Sequence, residues 1–182
     1  MANTTTWVID PMHSEILFKI KHLVISTVTG SFRKFEGKVL TQGDDFNDAK
    51  VTLAIDVKSI DTNQTQRDEH LQAGDFFSAD LYPQIIFESS SFTKAGSNDY
   101  KMTGNLTLKG VTKPVELNVE YGGAENNGHG VIKHGFEVTG IINRNKFGMM
   151  WNKLTDTGGL GLGEDIKLIA NIQVAELVEE TV

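Results

Sequence analysis

The chain has 182 residues, the length of one ordinary domain, and 39% of them are apolar before its 18 glycines are counted, which excludes disorder over the whole length. Seventeen Lys and Arg against 24 Asp and Glu leave a formal charge of −7 with no run of like charge, a poor basis for a surface that tracks nucleic-acid phosphates. Zero cysteine excludes a thiolate nucleophile, a thiolate-held zinc or iron–sulfur site and any disulfide framework.

The segment Met1 to Trp7 has neither a basic leader nor an apolar stretch, and the first lysine is Lys19. The expected compartment is therefore the cytoplasm, or the periplasm if the chain is a processed form. No apolar run approaches the roughly 20 residues that span a bilayer.

Ser14 to Lys21 alternates, with Ile16, Phe18 and Ile20 on one face and Glu15, Lys19 and Lys21 on the other, and His22 continues the inward register. Period two means a half-buried strand. A weaker strand pattern runs from Gly30 to Leu40, and a clear one follows at Val51, Leu53, Ile55 and Val57. Asp61-Thr62 then offers a cap, Gln64 to Gln72 lacks Gly, Pro and alternation, and Gly74 supplies a stop, which predicts a short helix. Asp75-Phe76-Phe77 returns apolar bulk toward the core, and a second weak strand runs from Pro83 to Phe92 through Phe87.

Three more alternating runs follow: Tyr100, Met102, Leu106 and Leu108; Val115, Leu117, Val119 and Tyr121; and Phe136, Val138 and Ile142. The last strand carries Ile166, Leu168, Ala170, Ile172 and Val174. Lys94 to Asp99 and Lys109 to Pro114 are short and rich in Gly, Asn or Pro, which predicts two tight antiparallel hairpins. Gly122 to Gly130 is expected to be a surface loop. The whole chain, residues 1–182, is thus expected to form a single all-β domain of about eight antiparallel strands with one helical connection. A sheet of that size removes its edges by closing into a barrel, whose interior is filled or holds one small ligand.

Chemistry-bearing patterns are sparse. His13, His22, His70, His129 and His134 are scattered and show no zinc spacing, so no metal is expected. Ser14 follows His13, but strand neighbours point to opposite faces and cannot form a nucleophile–base pair. Gly158 to Gly163 lacks the Lys-Ser/Thr ending and the helix of a phosphate-cradling loop. Arg67-Asp68-Glu69-His70 is the densest charged cluster, with Arg67 and His70 on one helix face. Phe76, Phe77, Phe147, Met149, Met150 and Trp151 fall outside strand centres, and serve either as plugs of a barrel or as an adaptable lining for a hydrophobic guest.

The blocks Trp7-Val8-Ile9-Asp10-Pro11-Met12-His13-Ser14, Gly30-Ser31-Phe32, Phe35-Glu36-Gly37, Arg67-Asp68-Glu69-His70-Leu71, Asp75-Phe76-Phe77 and Tyr82-Pro83-Gln84-Ile85-Ile86-Phe87 stand in this order along the chain. They continue with Gly104 to Val115 and Arg144-Asn145-Lys146-Phe147-Gly148. Together these blocks resemble the YceI-like, polyisoprenoid-binding family over nearly the whole chain. The resemblance implies a lipocalin-like antiparallel barrel whose pore holds a polyisoprenoid, an isoprenoid quinone or a fatty-acid derivative. It also implies a homodimer and no enzymatic residue set.

The expected lining is Phe18, Ile20, His22, Leu53, Ile55, Arg67, His70, Phe76, Phe77, Phe87, Leu106, Leu108, Leu117, Val119, Phe136, Val138, Arg144, Phe147 and Trp151. Among these His22, Arg67, His70 and Arg144 are the polar members of the family-like blocks and are expected at the head group. Asp61 to Tyr82 and Phe147 to Gly163 are expected to cover the pore mouths and move. The reading is a non-enzymatic carrier or store without a cofactor. Its alternatives are an enzyme acting on a lipid or quinone, and a stress-related structural protein with a filled barrel.

Overall fold

Alternation in the sequence becomes alternation in burial. From Phe35 to Gln42 each buried residue is followed by an exposed one without a break, and Asp99–Leu108 buries every second side chain. The computed structural model describes residues 3–152 and 161–178. Its strands are β1 (Thr4–Ile9), β2 (Glu15–His22), β3 (Ser26–Phe32), β4 (Phe35–Gln42), β5 (Asp45–Asp56) and β6 (Ile60–Asp61). These are followed by β7 (Gln84–Lys94), β8 (Asp99–Leu108), β9 (Val111–Asn126), β10 (Ile132–Asn143) and β11 (Leu162–Glu176). The α-helix α1 (Thr65–Gln72) lies between β6 and β7.

Eight of the strands close a ring in the order β1, β4, β5, β7, β8, β9, β10, β11 and back to β1, every pairing antiparallel. The expected eight-stranded barrel is therefore present, but it is assembled differently from the sequence reading. β1, where three threonines interrupt the apolar signal, was not expected. The single strand expected from Gly30 to Leu40 is two, broken at Arg33 and Lys34, where Arg33 N donates to the Ser59 carbonyl at 3.2 Å. The stretch expected as a loop from Gly122 is strand as far as Asn126, because Gly123, Ala124, Glu125 and Asn126 pair with β10.

β11 pairs with β10 along one edge, and along the other with β1 over Val174, Ala175 and Glu176 and with β2 over Leu162 to Asn171. β2 then carries β3, and β3 carries only the two-residue β6. The sheet thus splits at one end, and α1 with the segment after it lies across the split. α1 has no buried residue and packs only its half-buried Leu71 against the core, so its own face does little to hold it. It is tied instead by Asp68, whose Oδ1 accepts from Thr62 N at 2.8 Å and from Thr62 Oγ1 at 2.6 Å. This corrects the expected cap: the helix begins at Thr65, and its own side chain reaches back to Thr62. The helix also ends on an extended Ala73, before Gly74.

The hairpin joining β8 and β9 is tighter than expected: Lys109 and Gly110 alone form the turn, with φ of 50° and 73°. Such a two-residue turn matches the twist of its strands, and glycine holds the second position without strain. Gly104 on β8 answers a different need. A Cβ there would lie 2.5 Å from the Glu88 carbonyl oxygen and 2.6 Å from the Phe87 ring. Gly104→Ala is expected to cost about 2 kcal/mol in urea unfolding, because backbone cannot yield as a side-chain tip does. Gly122→Ala, whose nearest neighbour would be 3.5 Å away, should stay within about 0.5 kcal/mol of the parent.

Candidate ligand cavity

The inner face of the barrel encloses a cavity of about 380 Å³. Its wall carries Phe18 and Ile20 from β2, Leu53 and Ile55 from β5, and Phe87 from β7. Leu106 and Leu108 from β8, Leu117 and Val119 from β9, and Phe136 and Val138 from β10 complete the side. The inward face of β11, from Ile166 through Leu168, Ala170 and Ile172 to Val174, reaches it as well. Some inward-register residues do not: Val57 is buried in a turn past the end of β5, and Tyr100 and Tyr121 lie off the wall. Phe147 is 2% exposed but is also absent from the wall, so it packs beneath the rim.

One end of the cavity is closed by rings. Phe46 lies 5.3 Å from Trp7 and 5.0 Å from Phe136 between centroids, and His134 stands edge-on to Trp7 at 4.8 Å. The polar tips of Trp7 and Tyr121 have partners there: Trp7 Nε1 donates to Thr41 Oγ1 at 2.8 Å, and Tyr121 Oη meets His134 Nδ1 at 2.7 Å. Burial pushes the His134 pKa below its ordinary 6.5, against the opposing charge of Asp44, so the ring is neutral at neutral pH.

The other end holds the polar wall residues. Among the described residues of the wall, only His22, Arg67, His70, Arg144 and the Trp151 indole carry polar atoms in their side chains. Arg67 Nε donates to Thr62 Oγ1 at 2.7 Å and its Nη2 to the Thr62 carbonyl at 2.6 Å. His70 Nε2 meets Asp75 Oδ2 at 2.9 Å, and its ring stands edge-on to Phe76 at 5.0 Å and to Trp151 at 4.9 Å. Phe77 reaches the same end through an edge-to-face contact with Phe32. His22 is exposed at the last position of β2.

Arg144 differs from the other three. It is 2% exposed, and its guanidinium donates to the carbonyls of Gly163 at 2.8 Å, Met149 at 2.6 Å, Trp151 at 2.7 Å and Leu162 at 3.3 Å. Burial lowers its pKa below the ordinary guanidinium value, and the charge of Glu164 counters that shift. The geometry makes Arg144 the clasp that joins residues 149–151 to the start of β11. Arg144→Met is expected to cost about 3 kcal/mol or more in urea unfolding, since buried carbonyls lose their donor. Arg67→Met, which frees only Thr62, should cost about 1 kcal/mol.

Sequence reasoning missed wall residues on the elements it did not resolve, among them Ile9, Val28, Phe32, Val39 and Phe46. Trp7 and Ile9 do alternate, a signal that was available. Among the described residues no group of three or more His, Asp and Glu is placed to hold a metal ion. His13 Nδ1 pairs with Asp10 Oδ2 at 2.7 Å, whereas Ser14 Oγ bonds the Gln173 backbone, so the two form no dyad. Of the glycine run, Gly158, Gly159 and Leu160 lie outside the described residues, as do residues 153–160 of the expected second gate segment.

A closed antiparallel barrel around an apolar cavity, polar at one end, defines a lipocalin-like protein. Residues 7–174 match the YceI-like domain, and the chain belongs to that family. A UPF0312 protein of Staphylococcus aureus is 40% identical over 170 residues, covering 93% of this chain and 96% of its own. Among solved structures, BcnA of Burkholderia cenocepacia superposes with a TM-score of 0.78 at 25% identity, covering 91% of this chain and 98% of its own. The YceI protein of Campylobacter jejuni gives 0.70 at 35% identity, covering 88% and 91%. A polyisoprenoid-binding domain from Saccharophagus degradans shares the fold with a TM-score of 0.67 at 15% identity, covering 94% and 98%.

Proposed function

We propose that the barrel holds one long apolar molecule, a polyisoprenoid, an isoprenoid quinone or a fatty-acid derivative, as carrier or store. The observation that carries this reading is the wall itself: an interior built from aliphatic and aromatic side chains, with every polar group confined to one end. Burying about ten methylenes is worth on the order of 8 kcal/mol before ordering costs, so micromolar binding needs no strong polar contact. The named ligand class of the Saccharophagus degradans domain, which shares the fold, supports the same choice. The described wall carries the imidazoles of His22 and His70 at its polar end but no hydroxyl, amine or carboxylate of its own to act as nucleophile, which favours binding over catalysis.

Mass spectrometry of an organic extract of the purified protein should show one class of long-chain lipid in near-stoichiometric amount. Ala170→Phe, which adds bulk at a wall position, should weaken binding of dansylundecanoic acid by at least about tenfold while the protein stays folded. Unchanged affinity in the folded variant, together with an extract free of long-chain lipid, rejects the reading.

His22, Arg67 and His70 orient the guest's head, and the α1 segment with residues 147–152 yields to admit it. A guest of this length cannot pass between hydrogen-bonded strands, and these segments rest on side-chain ties instead. Arg67→Ala and His70→Ala should therefore change the ratio of affinities for alcohol, quinone and carboxylate lipids by at least about threefold while moving the tail's contribution little. Equal ratios before and after substitution, measured by competition against the fluorescent probe, would give both residues purely structural roles.

A further inference from the structure

The hairpin between β2 and β3 ends in Leu23, Val24 and Ile25, which are 45%, 71% and 88% exposed. Leu23 and Val24 have φ of 54° and 64°, in the left-handed region where asparagine or glycine sits without strain and a β-branched side chain does not. A turn made only to reverse the chain has no use for three large apolar side chains in water. The tip lies on the rim of the cavity. Leu23 N donates to the Gly161 carbonyl at 2.8 Å, and His22, on the cavity wall, stands opposite Leu162. Leu162 is bonded in both directions to the Asn152 side chain, next to the exposed Met150 and Trp151.

Behind the tip, Lys19 and Lys21 follow on β2, and Lys167 of β11 is the register partner of Lys19. Among the described residues none of these three lies within ion-pair distance of a carboxylate, although the chain carries a net −7. Glu164 and Asp165 are exposed nearby on β11. A narrow apolar wedge with lysines set behind it matches the interfacial layer of a bilayer, where side chains sink among the acyl chains and ammonium groups meet phosphates.

We propose that Leu23, Val24 and Ile25 insert into the surface of a lipid bilayer containing anionic phospholipid, setting the cavity mouth against the membrane. The docking rests on the lipid-holding reading for its purpose: a guest then moves between bilayer and cavity without crossing water.

The test is co-sedimentation with vesicles of phosphatidylcholine containing phosphatidylglycerol, together with transfer of dansylundecanoic acid from the protein to those vesicles. The parent should pellet with the vesicles, less so as salt rises. Val24→Asn with Ile25→Asp, which relieves the backbone and removes the wedge, should partition at least about tenfold more weakly while binding the probe in solution within about twofold of the parent. Its transfer rate should lose the dependence on vesicle concentration that the parent shows. Equal partitioning of parent and variant overturns the proposal, as does a parent that never pellets. A variant that passes from dimer to monomer by light scattering, with the parent not pelleting, assigns the tip to a second copy of the chain instead. A parent that pellets through the tip but takes up no probe leaves the docking standing and rejects the lipid-holding reading.

Discussion

The cavity and its mouth depend on one break in the backbone that runs along β11. β1 and β2 would be a single strand but for Asp10 to Ser14, and both flanks of the interruption are fixed to Gln173. Asp10 N donates to its carbonyl at 2.8 Å, and Ser14 Oγ accepts from its N–H at 2.9 Å. The Asp10 carboxylate then organises the turn, accepting from Met12 N at 3.0 Å, from the His13 ring and from Lys133 Nζ on β10. The Lys133 hydrogen bond leads in holding the Asp10 pKa down at about 2, against the opposing cost of burial. The carboxylate is therefore ionised at neutral pH.

From that break the two halves of the sheet diverge. On one side β1 passes directly to β4 and the ring shuts. On the other side β2 passes to β3 and β3 to the short β6, and among the described residues no strand continues the ladder. Backbone groups at such an edge need partners other than strands. Here they come from side chains: Arg67 Nη2 donates to the Thr62 carbonyl at 2.6 Å, Asp68 Oδ1 accepts from Thr62 N at 2.8 Å, and Ser59 Oγ donates to the Asp56 carbonyl at 2.6 Å. Ties of this kind are individually weak and partly wet, which is why the proposed entry of a guest is assigned to this end and not to the ring.

The alternating strands were legible in the sequence because burial of one face imposes period two, and β5, β8, β9, β10 and β11 carry that period plainly. β1 was legible only in the alternation of Trp7 and Ile9, because Thr4, Thr5 and Thr6 precede them without contrast, and the break at Arg33 was not, because nothing local separates a bent strand from a broken one. Of the polar members of the wall, His22 was legible as the end of an inward register and Arg67 with His70 as one helix face, whereas Arg144 was legible only through the resemblance, which groups it with them. Even that grouping hid a division: Arg144 and Arg67 share a residue type and a cavity, but four backbone carbonyls from two distant stretches converge on the first and a single threonine on the second. Convergence of carbonyls is a property of the folded chain that no local pattern encodes.

The contrast between the two ends gives the cavity a direction. At the ring-closed end the polar tips of Trp7 and Tyr121 are spent on Thr41 and His134 behind the wall, and the cavity meets the rings of Phe46 and Phe136. A charged or strongly hydrated head placed there would lose its water without replacement, at a cost of several kcal/mol. At the split end Arg67 is half-buried and His70 and His22 reach solvent, so a head group can keep part of its hydration and still meet a donor. An amphiphile in this barrel is thereby oriented tail inward without any single strong contact. On the proposed reading the same asymmetry places its head beside the β2–β3 tip, where Leu23, Val24 and Ile25 project into solvent.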